Sequence, residues 1–83
     1  RTSHRNYVRL STSDEAGVIG KIGTCFGEAG VSIQSIVQFE TQSAQAEIVV
    51  ITHDVLEANF RSALAAIGAL SDVHAVAACL RTL

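Results

Sequence analysis

Polar and apolar residues alternate from Tyr7 to Ser13, with Val8 and Leu10 on one side and Arg9 and Ser11 on the other. That period of two predicts a half-buried strand. Asp14-Glu15-Ala16-Gly17 breaks the period. Asp14 is the expected N-cap of a helix, and Gly17 gives the backbone freedom to enter it. From Val18 to Ala29 the spacing lengthens to that of a helix, with Ile19, Ile22 and Phe26 in one stripe, and Gly30 is expected at C′. Val31 to Phe39 predicts a second strand, with Val31, Ile33, Val37 and Phe39 on one face and Ser32, Gln34, Ile36 and Gln38 on the other. Thr41-Gln42-Ser43 is the expected hairpin turn. The return strand, Ala44 to Thr52, is apolar on both faces at Ile48-Val49-Val50-Ile51, as a central strand would be. Asp54 and Glu57 form an expected capping box ahead of a helix presenting Leu56, Phe60, Leu64 and Ile67, closed by Gly68. Asp72 to Leu83 predicts a fourth strand.

The order strand, helix, strand, strand, helix, strand is the split βαβ, or ferredoxin-like, plan. Right-handed crossovers place both helices on one face of a four-stranded antiparallel sheet, giving an α+β sandwich. Residues 1–6 read as a lead-in or linker remnant and residues 7–83 as one domain. In this topology the second and fourth strands are edges. Neither Val31–Phe39 nor Val73–Leu80 carries a charge or a proline to guard it, so pairing with another copy, as a homodimer or higher oligomer, is expected.

Composition sharpens that expectation. The 83 residues are 48% hydrophobic and only 17% charged, with a mean hydropathy of +0.33. So few charges on so small a domain imply apolar surface buried against a partner. The net charge of −2 and the scattered positions of Arg1, Arg5, Arg9, Lys21, Arg61 and Arg81 argue against nucleic acid as a partner. The apolar stretches are too short to span a bilayer and no signal-peptide pattern is present, so the expected setting is cytoplasmic, away from membranes. Cys25 and Cys79 are expected to be buried, reduced thiols, and His4, His53 and His74 lack ligand spacing, so no metal site is expected.

This fold plan hosts many functions, so the chemistry must be read from the first loop. Asp14 and Glu15 stand where a phosphate-binding enzyme would need cations, no CxxC is present to carry a metal, and Tyr7 alone gives no stacking platform for RNA. No nucleophile constellation stands out. The loop ends in a helix N-terminus whose free N–H groups, from about Gly17 to Gly20, suit a carboxylate. Asp14 suits an ammonium group, or serves simply as a cap. Gly17, Gly20, Gly23 and Gly27 recur at helical spacing, which fits close packing of the helix and, for Gly17 and Gly20, also fits backbone that admits a ligand.

Asp14-Glu15-Ala16-Gly17-Val18-Ile19, followed by Ile22, Phe26 and Gly30-Val31-Ser32-Ile33, resembles the ACT domain family, whose loop commonly reads Asp-x-Pro-Gly. Tyr7-Val8-Arg9-Leu10, Ile33-Gln34-Ser35-Ile36-Val37-Gln38, Ile48 to His53 and Val73…Leu80-Arg81 resemble, more narrowly, the C-terminal ACT domain of homoserine dehydrogenases. The resemblance runs from Tyr7 to Arg81. It implies an amino-acid sensor that pairs side by side and binds its ligand at the interface through Asp14, Ala16, Gly17, Val18 and Ile19 of the loop and helix start, and Ser32, Ile33 and Gln34 of the second strand. Threonine is the ligand it favours, with feedback control of threonine and methionine biosynthesis as the role. The catalytic domains of such an oxidoreductase, and its NAD(P), would belong to the rest of a parent enzyme. This chain is expected to bind no cofactor and to catalyse nothing alone. The alternative is an ACT-like oligomerisation module without a ligand. Two departures from the family pattern bear on affinity: Ala16 stands at the usual proline, and Ser32 at a usual amide.

Overall fold

The computed structural model describes residues 3–14, 16–41 and 45–82, with side chains described between residues 4 and 76 of those ranges. The elements are β1 (Ser3–Ser13), α1 (Val18–Glu28), β2 (Ile33–Glu40), β3 (Gln45–Thr52), β4 (Val55–Leu56), α2 (Glu57–Gly68) and β5 (Val73–Thr82). The main sheet runs β2-β3-β1-β5, every pairing antiparallel, which leaves β2 and β5 at the edges as the sequence predicts. β1 begins at Ser3, earlier than its alternation suggests, because Ser3 and His4 pair with the short β4. The expected turn at Thr41-Gln42-Ser43 and the Cys79 thiol lie outside the described residues or side chains; Cys25 is half-buried rather than buried.

The core forms between the sheet and the helices. Val8 and Leu10 of β1 meet Ile48 and Val50 of β3, and Val18, Ile22 and Phe26 of α1 cover them with Phe60, Ala63 and Ile67 of α2. In α1 the fully buried ridge starts at Val18, one residue before the expected Ile19, which is only half-buried. Leu56, expected on the apolar face of α2, precedes that helix and is exposed. The buried polar residues Asn6, Thr12 and Thr52 are paired: the Asn6 backbone N–H donates to Thr52 Oγ1 at 3.0 Å, and the Thr12 hydroxyl donates to the Ser13 carbonyl at 3.1 Å.

α1 ends as expected at Gly30. With φ at 80°, Gly30 turns the chain so that its N–H donates to the Gly27 carbonyl and that of Val31 to the Phe26 carbonyl, a Schellman motif. The other α1 glycines depart from the close-packing reading. A Cβ placed at Gly20, Gly23 or Gly27 would meet nothing within 4 Å among the described residues packed around the helix, so none of them requires glycine there.

Strand β2 contains the main correction to the expected faces. Its pairing with β3 slips between Ile33 and Ser35, a bulge that inverts the alternation downstream. Ile33 and Ile36 therefore both pack on the core, whereas Val37 and Phe39 turn to the helix-free face and stand 43% and 52% exposed.

Candidate functional site

The β1–α1 loop departs from the expected capping. The N-cap of α1 is Gly17, at φ 88° and ψ −6°, and no side chain caps the helix. Asp14 is exposed, and its Oδ1 accepts a hydrogen bond from Gln38 Nε2 of β2 at 3.2 Å. The side chain of Asp14 therefore faces the end of β2 instead of folding over the helix start. Glu15 lies outside the described residues. The Gly17 carbonyl accepts the Lys21 amide at 3.0 Å and begins the helical ladder. The amides of Val18, Ile19 and Gly20 lie ahead of that first bond and have no helical acceptor. No acidic residue occupies the first turn, so the partial positive charge of the helix end is uncompensated there. Val18 presents only its amide, since its side chain is buried; Ile19 is half-buried, and Ala16 and Gly17 are exposed.

A set of polar contacts pins both flanks of this loop to Asp72, the residue that leads into β5. The Ser13 amide donates to the Asp72 carbonyl at 2.8 Å and the Ser13 hydroxyl to Asp72 Oδ1 at 3.1 Å. Lys21 Nζ, one turn into α1, donates to Asp72 Oδ2 at 2.7 Å. The Lys21 ammonium, with the Ser13 hydroxyl second, holds the Asp72 carboxyl below the ordinary carboxylate range. Sequence reasoning passed over Asp72 and Gln38. Neither belongs to a local motif, and only the tertiary fold brings them to the loop.

The remaining expected site residues lie elsewhere. Ser32 is exposed and its carbonyl accepts the His53 amide at 2.9 Å; Ile33 packs on the core; Gln34 is exposed and its Oε1 accepts from Arg5 Nη2. β1 and β2 are both antiparallel to β3 and so parallel to each other. The loop after β1 therefore sits beside the end of β2, at Gln38 to Glu40, while Ser32 to Gln34 sit at its start. The run from Ile33 to Glu40 spans about 23 Å at roughly 3.3 Å per residue. One chain thus holds the eight expected residues as two groups at opposite ends of its sheet.

Hollows also lie away from the loop. A cleft of about 230 Å³ opens between His4 and Asn6 of β1 and Glu57, Phe60 and Arg61 of α2, where Glu57 and Arg61 already bond each other. A shallow depression is bordered by Arg5, Gln34, His53 and Asp54. Among the described residues no group of histidine, cysteine or acidic side chains could hold a metal ion, and no helix is long and apolar enough to cross a membrane.

A four-stranded sheet with two crossover helices on one face, and a bare helix start after β1, defines a small α+β domain of the ferredoxin-like kind. The ACT domain family matches residues 6–72, and the chain belongs to it. A homoserine dehydrogenase from Synechocystis sp. is 44% identical over 79 residues, which is 95% of this chain and 18% of that protein. The crystal structure of a homoserine dehydrogenase from Thiobacillus denitrificans superimposes with a TM-score of 0.83 at 30% identity, over 95% of this chain and 17% of that one. The ACT domain of a GTP pyrophosphokinase from Chlorobium tepidum shares the fold, with a TM-score of 0.72 at 12% identity. The chain is therefore an ACT regulatory domain resembling that of homoserine dehydrogenases, and it spans less than a fifth of the relatives' length.

Proposed function

We propose that this domain senses a free amino acid, threonine foremost, at a site completed by two copies paired through their β2 edges. The observation that carries the reading is the split of the site residues between the two ends of one sheet. A two-fold axis that pairs β2 with β2 runs the strands antiparallel, so the start of one meets the end of the other. Ser32, Ile33 and Gln34 of the second copy then come to the end of the sheet that holds Asp14, Ala16, Gly17, Val18 and Ile19. β2 suits that role, because its only charge, Glu40, stands at its last position.

In this arrangement the ligand carboxylate accepts from the first amides of α1, and its ammonium faces Asp14. Binding across the interface favours the paired state by the ligand's differential affinity, and so biases any enzyme attached to it. The parent reading is a cytoplasmic homoserine dehydrogenase, an NAD(P)-dependent oxidoreductase under feedback control in threonine and methionine biosynthesis. Its support is the likeness of this chain to the ACT portion of such enzymes.

The test is calorimetric titration of the chain with threonine, serine, isoleucine, methionine and lysine, alongside sedimentation. Saturable heat from threonine, together with a tightened dimer, is the expected result. Silence from all five with a stable dimer would instead leave a pairing module without a ligand.

A further inference from the structure

The loop that carries Asp14 lacks two devices that ordinarily fix such a turn: a side-chain cap on the helix and a proline before the glycine. Its conformation is nevertheless specific. The Gly17 angles, φ 88° and ψ −6°, are left-handed, which glycine adopts without strain, and Ala16 directly before it carries none of the fixed φ that a proline would have. Alanine leaves that φ unrestrained, so the turn must be held from outside. Asp72 does this at both ends. Its carbonyl and Oδ1 take the backbone and hydroxyl of Ser13, the last residue of β1, and its Oδ2 takes Lys21 on the first turn of α1. The Asp72 side chain is only 13% exposed, against 56% for Lys21, so the carboxylate is the enclosed and fixed member of the pair. Ser13 and Lys21 bracket residues 14–20, and both are tied to one residue.

We propose that Asp72 is the positioning residue of the amino-acid site: it holds the β1–α1 turn in its binding arrangement from β5, in place of a proline at position 16. The inference rests on the reading of that loop as the ligand site, and it adds a physical link between the loop and β5, the edge strand opposite the proposed pairing edge. A ligand that tightens the loop then also tightens the start of β5.

The experiment compares the 83-residue chain with its Asp72→Asn, Ala16→Pro and doubly substituted forms by amide hydrogen exchange without ligand and by threonine titration. Asp72→Asn is expected to speed exchange at Gly17 to Gly20. If it leaves the loop correctly placed about a tenth of the time, threonine affinity falls about ten-fold. Ala16→Pro in the Asp72→Asn background is expected to restore both, whereas alone it changes little. A merely structural ion pair would lower the melting temperature without rescue of affinity by proline. Unchanged loop exchange in Asp72→Asn, or a loosened loop that proline does not tighten, overturns the proposal. If the native chain gives no threonine heat while the exchange pattern loosens and is rescued as described, the positioning role stands and the ligand reading fails.

Discussion

The two helices of this domain begin in opposite ways. α2 is entered straight from β4: its N-cap Leu56 is extended, at φ −64° and ψ 141°, and Glu57 places an acid in the first turn, paired with Arg61 one turn on. α1 is entered through a left-handed glycine, with no acid in its first turn. Neither helix has a side-chain cap, although an aspartate precedes each. The difference is electrostatic. Glu57 answers the partial charge at the start of α2, whereas the first turn of α1 carries no acid to do so.

Gly17→Val should break the contrast most severely. A β-branched residue at φ 88° costs about 1–3 kcal/mol of stability, read by urea denaturation, and should remove threonine binding, while Leu56→Ala at the other helix start stays within about 0.5 kcal/mol. Asp14→Ala acts on affinity instead. Asp14 is exposed and caps nothing, so its loss should leave stability within about 0.5 kcal/mol while threonine affinity falls about ten-fold, the equivalent of about 1.4 kcal/mol; unaltered affinity would remove Asp14 from the site.

Gly20→Glu makes α1 resemble α2. The added side chain meets open space, and leaving glycine should stabilise the helix by up to about 1 kcal/mol, yet the new carboxylate competes with the ligand's. A rise in melting temperature with a fall in affinity is expected, and tighter threonine binding would contradict the dipole argument. The smallest effect concerns pH. Because Lys21 and Ser13 depress the Asp72 pKa, with His74 adding a minor attraction, the contribution of the carboxylate is present at neutral pH. It is fully present above the ordinary carboxylate pKa and is lost as pH falls from there through the lowered value. Denaturation midpoints of Asp72→Asn and the native chain should therefore converge at the acid end.

Much of this was legible in the chain. Alternation at Val8 and Leu10, helical spacing at Ile22 and Phe26, and the position of Gly30 are local patterns, and they located the strands, helices and the α1 terminus. Asp14 and Asp54 were misread as caps for a physical reason. A carboxylate caps only if the backbone behind it turns the right way, and here Gly17 and β4 take up the turning. Gln38 and Asp72 had no local signature, because sheet parallelism and the β5 register alone bring them to the loop. The division of the expected site residues between two ends follows from strand direction, which residue type does not encode.

The extra residue near Ser35 sets the phase of everything after it in β2. Pairing β2 straight through from Ile33 without the bulge would send Val37 and Phe39 toward the helices, and it would swing Gln38 to the opposite face, away from Asp14. A surface edge strand would ordinarily be expected to absorb a one-residue deletion cheaply. In this one, a deletion beyond the bulge would turn the residues beside the far loop to the other face, so the length of β2 specifies that neighbourhood as much as the residues that line it.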